Sequence, residues 1–277
     1  MIFPARPAML GLLLAMLGLA VAPALAAESN WSNSGKAKVR LVAAGAPSAG
    51  APIRAGVEIQ LERGWHTYWR YAGDAGIPPR FDWSRSTNLA SAEVLWPAPQ
   101  RIAVEDGIES IGYKDSVLLP VHVTPRDPAK PVARRLTLDF GICEKICIPA
   151  TANLALETSP GAAQSVPALD KAEARVPVKA NVGGGGPLRV IAVTIEHGGN
   201  PAVIVDVDVP SAQPFDLFAE DPENGWSPPL PKRKSFKDGR ARFTVVLEGT
   251  DTSLPVKNLR LTLVSGDDSI EALAPLD

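Results

Sequence analysis

Gly56-Val57-Glu58-Ile59-Gln60-Leu61 sets apolar and polar side chains in alternation. A period of two sends successive side chains to opposite faces of an extended chain, so this stretch reads as a strand with one buried face. Upstream, Lys38-Val39-Arg40-Leu41-Val42 carries the same pattern. Downstream it recurs in Val117–Val123 and in Leu136-Thr137-Leu138-Asp139-Phe140, and the region closes with Ile146-Cys147-Ile148 and Leu154–Glu157. Nothing between Lys36 and Glu157 sustains the 3.6-residue apolar period of a packed helix. Gly, Pro, Asp and Asn interrupt the strands at short intervals, which is the spacing of a β-sandwich. Composition agrees. The chain holds 27 prolines in 277 residues, too many for a helical bundle, because each Pro inside a helix costs about 3 kcal/mol.

Beyond Ser159 the character of the chain changes. Pro167-Ala168-Leu169-Asp170-Lys171-Ala172-Glu173-Ala174-Arg175 reads as a short helix, and Gly183–Gly186 is an unbroken glycine run of the kind found in flexible linkers. Alternation then returns in Leu188–Ile195, Ala202–Val209, Arg242–Leu247 and Leu259–Val264. The expected fold is all-β, with one sandwich over residues 27–160, a linker over 161–187 and a second sandwich over 188–277. The segment Trp226-Ser227-Pro228-Pro229-Leu230-Pro231, followed by Lys232-Arg233-Lys234, is expected to be an exposed extended loop.

Residues 1–26 are set apart as a cleaved export signal. Arg6 precedes the apolar run Met9–Ala22, and Ala24-Leu25-Ala26 supplies the small residues a signal peptidase reads. The run falls short of the roughly 20 residues of a transmembrane helix, and no later stretch is longer, so the mature protein is expected to be exported and soluble. Hydrophobic residues at 45% and charged residues at 21% exclude wholesale disorder. A formal charge of -2 excludes electrostatic nucleic-acid binding, which needs a basic surplus. Met1, Met9 and Met16 are the 3 methionines, and all leave with the signal, which disfavours a methionine-rich copper carrier.

The 2 cysteines of the chain sit together in Phe140-Gly141-Ile142-Cys143-Glu144-Lys145-Ile146-Cys147-Ile148-Pro149. Strand ends joined by a tight loop, or one helical turn, bring such positions within the roughly 4.4–6.8 Å between Cα atoms that a disulfide spans. In an oxidising compartment the bridge would form. Closing so short a loop stabilises by only roughly 2 kcal/mol in the chain-entropy model, which favours reversible exchange over stapling. Two other readings stay open: a structural clip, and a Cu(I) site using both thiolates, to which only His66, His122 or His197 could add nitrogen ligands. Gly64-Trp65-His66-Thr67-Tyr68-Trp69-Arg70-Tyr71 is dense in aromatics, with Trp83 and Trp96 close behind. Trp83 and Trp96 read as sandwich core. The remainder could be core or an exposed platform for sugar or protein.

Four segments taken together resemble a known family: Gly64–Trp69, then Gly73-Asp74-Ala75-Gly76-Ile77-Pro78-Pro79, then Ile111-Gly112-Tyr113-Lys114-Asp115, then Cys143–Pro149. Their order over about Lys36 to Glu157 is similar to the N-terminal periplasmic domain of DsbD-type protein-disulfide reductases. It is nearest to the ScsB branch, which is associated with suppression of copper sensitivity. Residues past the linker resemble, more weakly, the second immunoglobulin-like domain of the ScsB periplasmic portion.

The resemblance implies immunoglobulin-like sandwiches and a redox-active pair that passes electrons to a periplasmic thioredoxin-like client, with no cofactor and no metal. It makes Cys147 the thiol that forms the mixed disulfide and Cys143 the resolving thiol. It places Tyr68 in the active-site lining and a shielding cap loop within Val104–Ile111, including Val104, Glu105, Asp106 and Ile108. This sequence departs from the DsbD pattern in having three residues rather than five between its cysteines. It also has no aromatic residue in Val104-Glu105-Asp106-Gly107-Ile108, where a DsbD cap loop carries one. No membrane or thioredoxin-like domain precedes Asp277, so a separate membrane-embedded disulfide reductase is the expected electron donor.

Overall fold

A computed structural model of the chain describes residues 27–45, 51–73, 75–103, 107–158, 166–196, 201–210, 213–223, 228–247 and 256–276. The export signal expected over residues 1–26 lies outside them. In chain order the first strands are β1 (Ala27–Glu28), β2 (Ser32–Ser34), β3 (Ala37–Gly45), β4 (Ile53–Leu61), β5 (His66–Gly73) and β6 (Arg80–Asp82). They are followed by β7 (Leu89–Val94), β8 (Gln100–Ala103), β9 (Glu109–Lys114), β10 (Ser116–Pro125), β11 (Val132–Cys143) and β12 (Cys147–Thr158). Helix α1 (Pro167–Ala174) and β13 (Val178–Ala180) lead to β14 (Arg189–Glu196), β15 (Ala202–Asp208) and β16 (Phe215–Glu220). The last strands are β17 (Lys232–Lys237), β18 (Arg240–Val246), β19 (Asn258–Ser265) and β20 (Asp268–Pro275).

Two immunoglobulin-like sandwiches result. The first packs the sheet β1-β3-β4-β10-β7, with β2 on β3, against the sheet β12-β11-β5-β9-β8, with β6 on β11. Alternation sorts the side chains as the sequence requires. Val39, Leu41, Val57 and Ile59 face Trp69, Ile111, Leu136, Leu138 and Phe140, and all of them are buried. Trp83 and Trp96 pack on the edge of this core, as expected of them. The second sandwich packs β13-β20-β19-β16 against β14-β15-β18-β17 around Val203, Val205, Val207, Leu217, Phe243, Leu261 and Leu263.

The segment expected as a flexible linker is ordered over residues 166–187. Its short helix α1 lays Leu169 on the outer face of β4, where Val42, Ala44, Val166 and Leu118 complete a small apolar cluster. A Cβ at Gly56 would meet Leu169 at 3.0 Å and Leu118 at 2.7 Å, so the bare backbone there is what admits the helix. Arg54 fixes the helix from the side, donating to Glu173 at 3.0 and 2.6 Å and to Asp170 at 2.6 Å. Strand β13 then joins the second sandwich through parallel pairing with β20. The glycine run is wound into a turn: Gly183 N–H donates to Val190 O at 2.9 Å and Gly184 N–H to Asn181 O at 3.0 Å. Flexible composition is overridden here by backbone hydrogen bonds and by the buried Leu169 side chain.

The two sandwiches meet along β5 and β8. Trp69 and Phe218 approach with ring centroids 6.0 Å apart. Arg70 Nε donates to both oxygens of Glu220 at 2.9 Å, and its Nη2 donates to Glu271 at 2.7 Å. Arg260 reaches Glu220 from the other side at 2.7 Å, while Arg101 grips Asp216 at 2.8 and 2.9 Å. Tyr71 donates its hydroxyl proton to Pro228 O at 2.6 Å, and Leu230 is buried in the first core. The proline segment, expected to be an exposed loop, is therefore a docked strap over residues 228–231. Its apolar side chains gain more from the core edge than the chain loses by being fixed. Lys232-Arg233-Lys234 opens the exposed edge strand β17 rather than a loop.

Candidate functional site: the β11–β12 cystine

Strands β11 and β12 pair in register along their whole length, ending at Cys143 opposite Cys147. The three-residue turn Glu144-Lys145-Ile146 closes the hairpin, and the two Cα atoms stand 4.2 Å apart with the sulfurs joined as a disulfide. The two cysteines differ sharply in access. Cys143 is 0% exposed, whereas Cys147 lies on the surface beside Ile146, which is 74% exposed.

Strand β5 explains the burial. It pairs with the end of β11, setting Thr67 opposite Ile142 and His66 opposite Cys143. On its other edge it meets β9, with His66 opposite Lys114 and Tyr68 opposite Gly112. Partners in an antiparallel register share a face, so Cys147, Cys143, His66 and Lys114 form one row across four strands. Tyr68, two residues along β5 from His66, stands on the same face. It packs with Cys143 and Ala72, and its ring meets His66 edge-on at 5.5 Å.

Tyr68 is fully buried, and its hydroxyl lies 2.9 Å from Cys147 Sγ. Two glycines make room for its ring. A Cβ at Gly141 would fall 2.7 Å from Cε2, and one at Gly76 would overlap the opposite edge. Gly141 is held by Thr67 Oγ1, which donates to its carbonyl at 2.8 Å, and by its own N–H, which donates to Ile77 O at 3.0 Å. Burial pushes the Tyr68 phenol above its ordinary pKa, against a smaller downward pull from the Ser110 hydroxyl. The phenol stays protonated at neutral pH, able to donate to a thiolate. Burial, and secondarily the Lys114 charge, hold the His66 imidazole below its usual pKa, so it is neutral near pH 7.

Of the residues expected at the site, the structure brings Cys143, Cys147 and Tyr68 together. Ile108 is 42% exposed just before β9, in the loop that joins β8 to β9. Val104, Glu105 and Asp106 lie outside the described residues, as does His197. His122 lies on β10, on the opposite sheet, 3.8 Å from Glu173. Among the described residues no group of three or more His, Cys, Asp and Glu could hold a metal ion. Sequence reasoning missed His66 as a neighbour of Cys143 and the two glycines that cradle Tyr68. On a strand, the spacing His66-x-Tyr68 places both side chains on one face, but it does not give the strand opposite. Trp69 and Tyr68 are both 0% exposed, so the aromatic segment is interior rather than an open platform.

No helix among the described residues is long and apolar enough to cross a membrane. No curated protein sequence matches the chain. In overall fold it is similar to the crystal structure of the N-terminal periplasmic domain of ScsB from Proteus mirabilis. That likeness has a TM-score of 0.69 and 21% sequence identity, over 91% of this chain and 99% of that one. The family model for the N-terminal region of the thiol:disulfide interchange protein DsbD matches residues 38–159, a span that contains the cystine hairpin, Tyr68 and His66. Residues 38–159 are thus a domain similar to the N-terminal domain of the DsbD family.

Proposed function

We propose that this protein is an exported thiol:disulfide oxidoreductase that passes electrons through Cys143 and Cys147 to a periplasmic thioredoxin-like client. The observation that carries the reading is the asymmetry of the cystine, one cysteine exposed at the surface and its partner fully buried. In the reduced protein the exposed Cys147 thiolate, steadied by the Tyr68 hydroxyl, attacks a client disulfide. The client S–S bond breaks, a Cys147–client mixed disulfide forms, and one client thiolate leaves and takes a proton. The Cys143 thiolate then attacks the Cys147 sulfur, which restores the Cys143–Cys147 bond and releases the second client thiol. The client gains two electrons and the pair loses two. A membrane-embedded disulfide reductase is the donor that re-reduces the pair, and residues 1–26 direct export.

The interior placement of Tyr68 and Trp69 weighs against a carbohydrate- or protein-binding sandwich with an inert clip. Two measurements test the reading. A structural bridge has a reduction potential below about -300 mV, while an exchanging one lies well above it. Cys143→Ala should accumulate a mixed disulfide through Cys147 with a thioredoxin-like partner carrying a strained disulfide. A potential within the structural range, below about -300 mV, together with no trapped adduct from folded protein, would overturn the assignment.

A further inference from the structure

We propose that His66 is the general base that takes the proton from Cys143 when the mixed disulfide is resolved. The inference rests on the exchange function above and concerns its second step. That step needs a thiolate at Cys143, yet a thiol in a buried, apolar setting ionises reluctantly. Cys143 is 0% exposed and packs against Tyr68 and Ala72, so water is a poor acceptor for its proton.

His66 has the position and the free valence to serve. It is the register partner of Cys143 on β5, and side chains directly opposite in such a pair stand about 4.5–5.5 Å apart at Cβ. It is 3% exposed, and its Nε2 is buried without a hydrogen-bond partner. Buried polar atoms are rarely left in that condition, because the lost hydration is not replaced. In the oxidised protein the neighbouring sulfur carries no proton to offer. Once Cys147 is engaged with a client, Cys143 regains its S–H and Nε2 gains a donor. Among the described residues, the charged and titratable groups placed beside His66 are Cys143 on β11, Lys114 on β9, Tyr68 on its own strand, and Glu144 in the hairpin turn. Lys114 is a cation and the Tyr68 phenol is protonated, so neither accepts a proton. The Glu144 carboxylate lies out over Gly64, where a Cβ would meet its Oε1 at 3.2 Å. Proton balance is simple. The Cys143 proton moves to His66 Nε2 as sulfur attacks sulfur, and the imidazolium then returns it to the departing client thiolate or to solvent.

The test uses the reduced protein with one equivalent of dithiobis(nitrobenzoate), an aromatic disulfide, followed by stopped-flow absorbance between pH 5.5 and 8. Attack by Cys147 releases the first thionitrobenzoate and resolution by Cys143 releases the second. With His66 as base, the wild-type second phase is level at pH 7–8 and falls at lower pH. In His66→Gln the ratio of second- to first-phase rates at pH 7 drops about 100-fold, and the second phase climbs about tenfold per pH unit. A ratio in His66→Gln within twofold of wild type would overturn the proposal. So would a wild-type second phase that itself climbs tenfold per pH unit, a result that needs no variant to fold. If wild-type protein released neither thionitrobenzoate, the exchange function would fall first and the base with it.

Discussion

Replacing Gly141 by Ala puts a single methyl group into the tightest contact of the site. That methyl would lie 2.7 Å from Tyr68 Cε2 and 2.9 Å from both Tyr68 Cδ2 and Ile77 Cβ. Each separation is about 1 Å inside a normal carbon–carbon contact. Tyr68 cannot retreat, because it is fully buried and Gly76 closes on its other edge. Overpacking of this kind costs about 1–3 kcal/mol, while a stiffer unfolded chain returns about 0.4–1 kcal/mol. The net loss is about 1–2 kcal/mol, which for a sandwich of this size lowers Tm by about 4–8 °C. Thermal unfolding followed by near-ultraviolet circular dichroism measures it. The same substitution in a Tyr68→Leu background, where the ring edge is gone, should cost less than about 0.5 kcal/mol. Equal losses in the two backgrounds, or no loss in either, would refute the claim that Gly141 is required by the Tyr68 ring.

Tyr68→Phe deletes the hydroxyl beside Cys147 Sγ and keeps the ring. A hydrogen bond to a charged group contributes about 1.5–3 kcal/mol, so the Cys147 thiol pKa, read from thiolate absorbance at 240 nm in reduced protein, should rise by about one to two units. An unchanged titration would mean that the phenol does not stabilise the thiolate. Arg70→Ala leaves Glu220, whose side chain is 9% exposed, with Arg260 as its one remaining ion-pair partner among the described residues. Global stability should fall by about 1–3 kcal/mol, and calorimetry should resolve two unfolding transitions as the sandwiches uncouple; a single transition with unaltered Tm would count against the seam. Because the folded-state pKa of His66 is depressed, its unfolded form binds more protons over the window below pH 6.5. Its contribution is therefore complete above pH 6.5 and is lost as pH falls toward the folded-state value. Urea unfolding at pH 7.5 and pH 5 should show a larger drop for wild type than for His66→Gln, and parallel drops would exclude His66 as the source.

Much of the first sandwich was legible. Val39, Leu41, Val57, Ile59, Leu136 and Leu138 alternate in the sequence and all face inward in the fold. Period two is a property of the extended backbone and needs no tertiary information. The cysteine pair was legible as two thiols close enough to bridge, while the choice between a hairpin turn and a helical turn came from the pairing of β11 with β12. The short helix at Pro167–Ala174 agrees with its sequence pattern, whereas the glycine run that follows is not the flexible linker its composition suggests. Glycine content measures the freedom of an isolated chain, and hydrogen bonds from Gly183 and Gly184 remove that freedom once β14 is in place. Leu230 was misread likewise. Proline-rich composition signals extension, and the core edge that buries this leucine belongs to strands far away in the sequence.

The order of residues along the chain was enough to determine an alternating β architecture and a pair of cysteines near enough to bridge. Tertiary structure alone decided that Cys143 is covered while Cys147 stays open, that the Tyr68 hydroxyl reaches the outer sulfur, and that an unpartnered imidazole sits opposite the inner one. The reason is that side-chain alternation is written into local backbone geometry. Which strand lies across from which depends on contacts between residues such as His66 and Cys143 that are distant in the chain, and these exist only after the sheets have assembled.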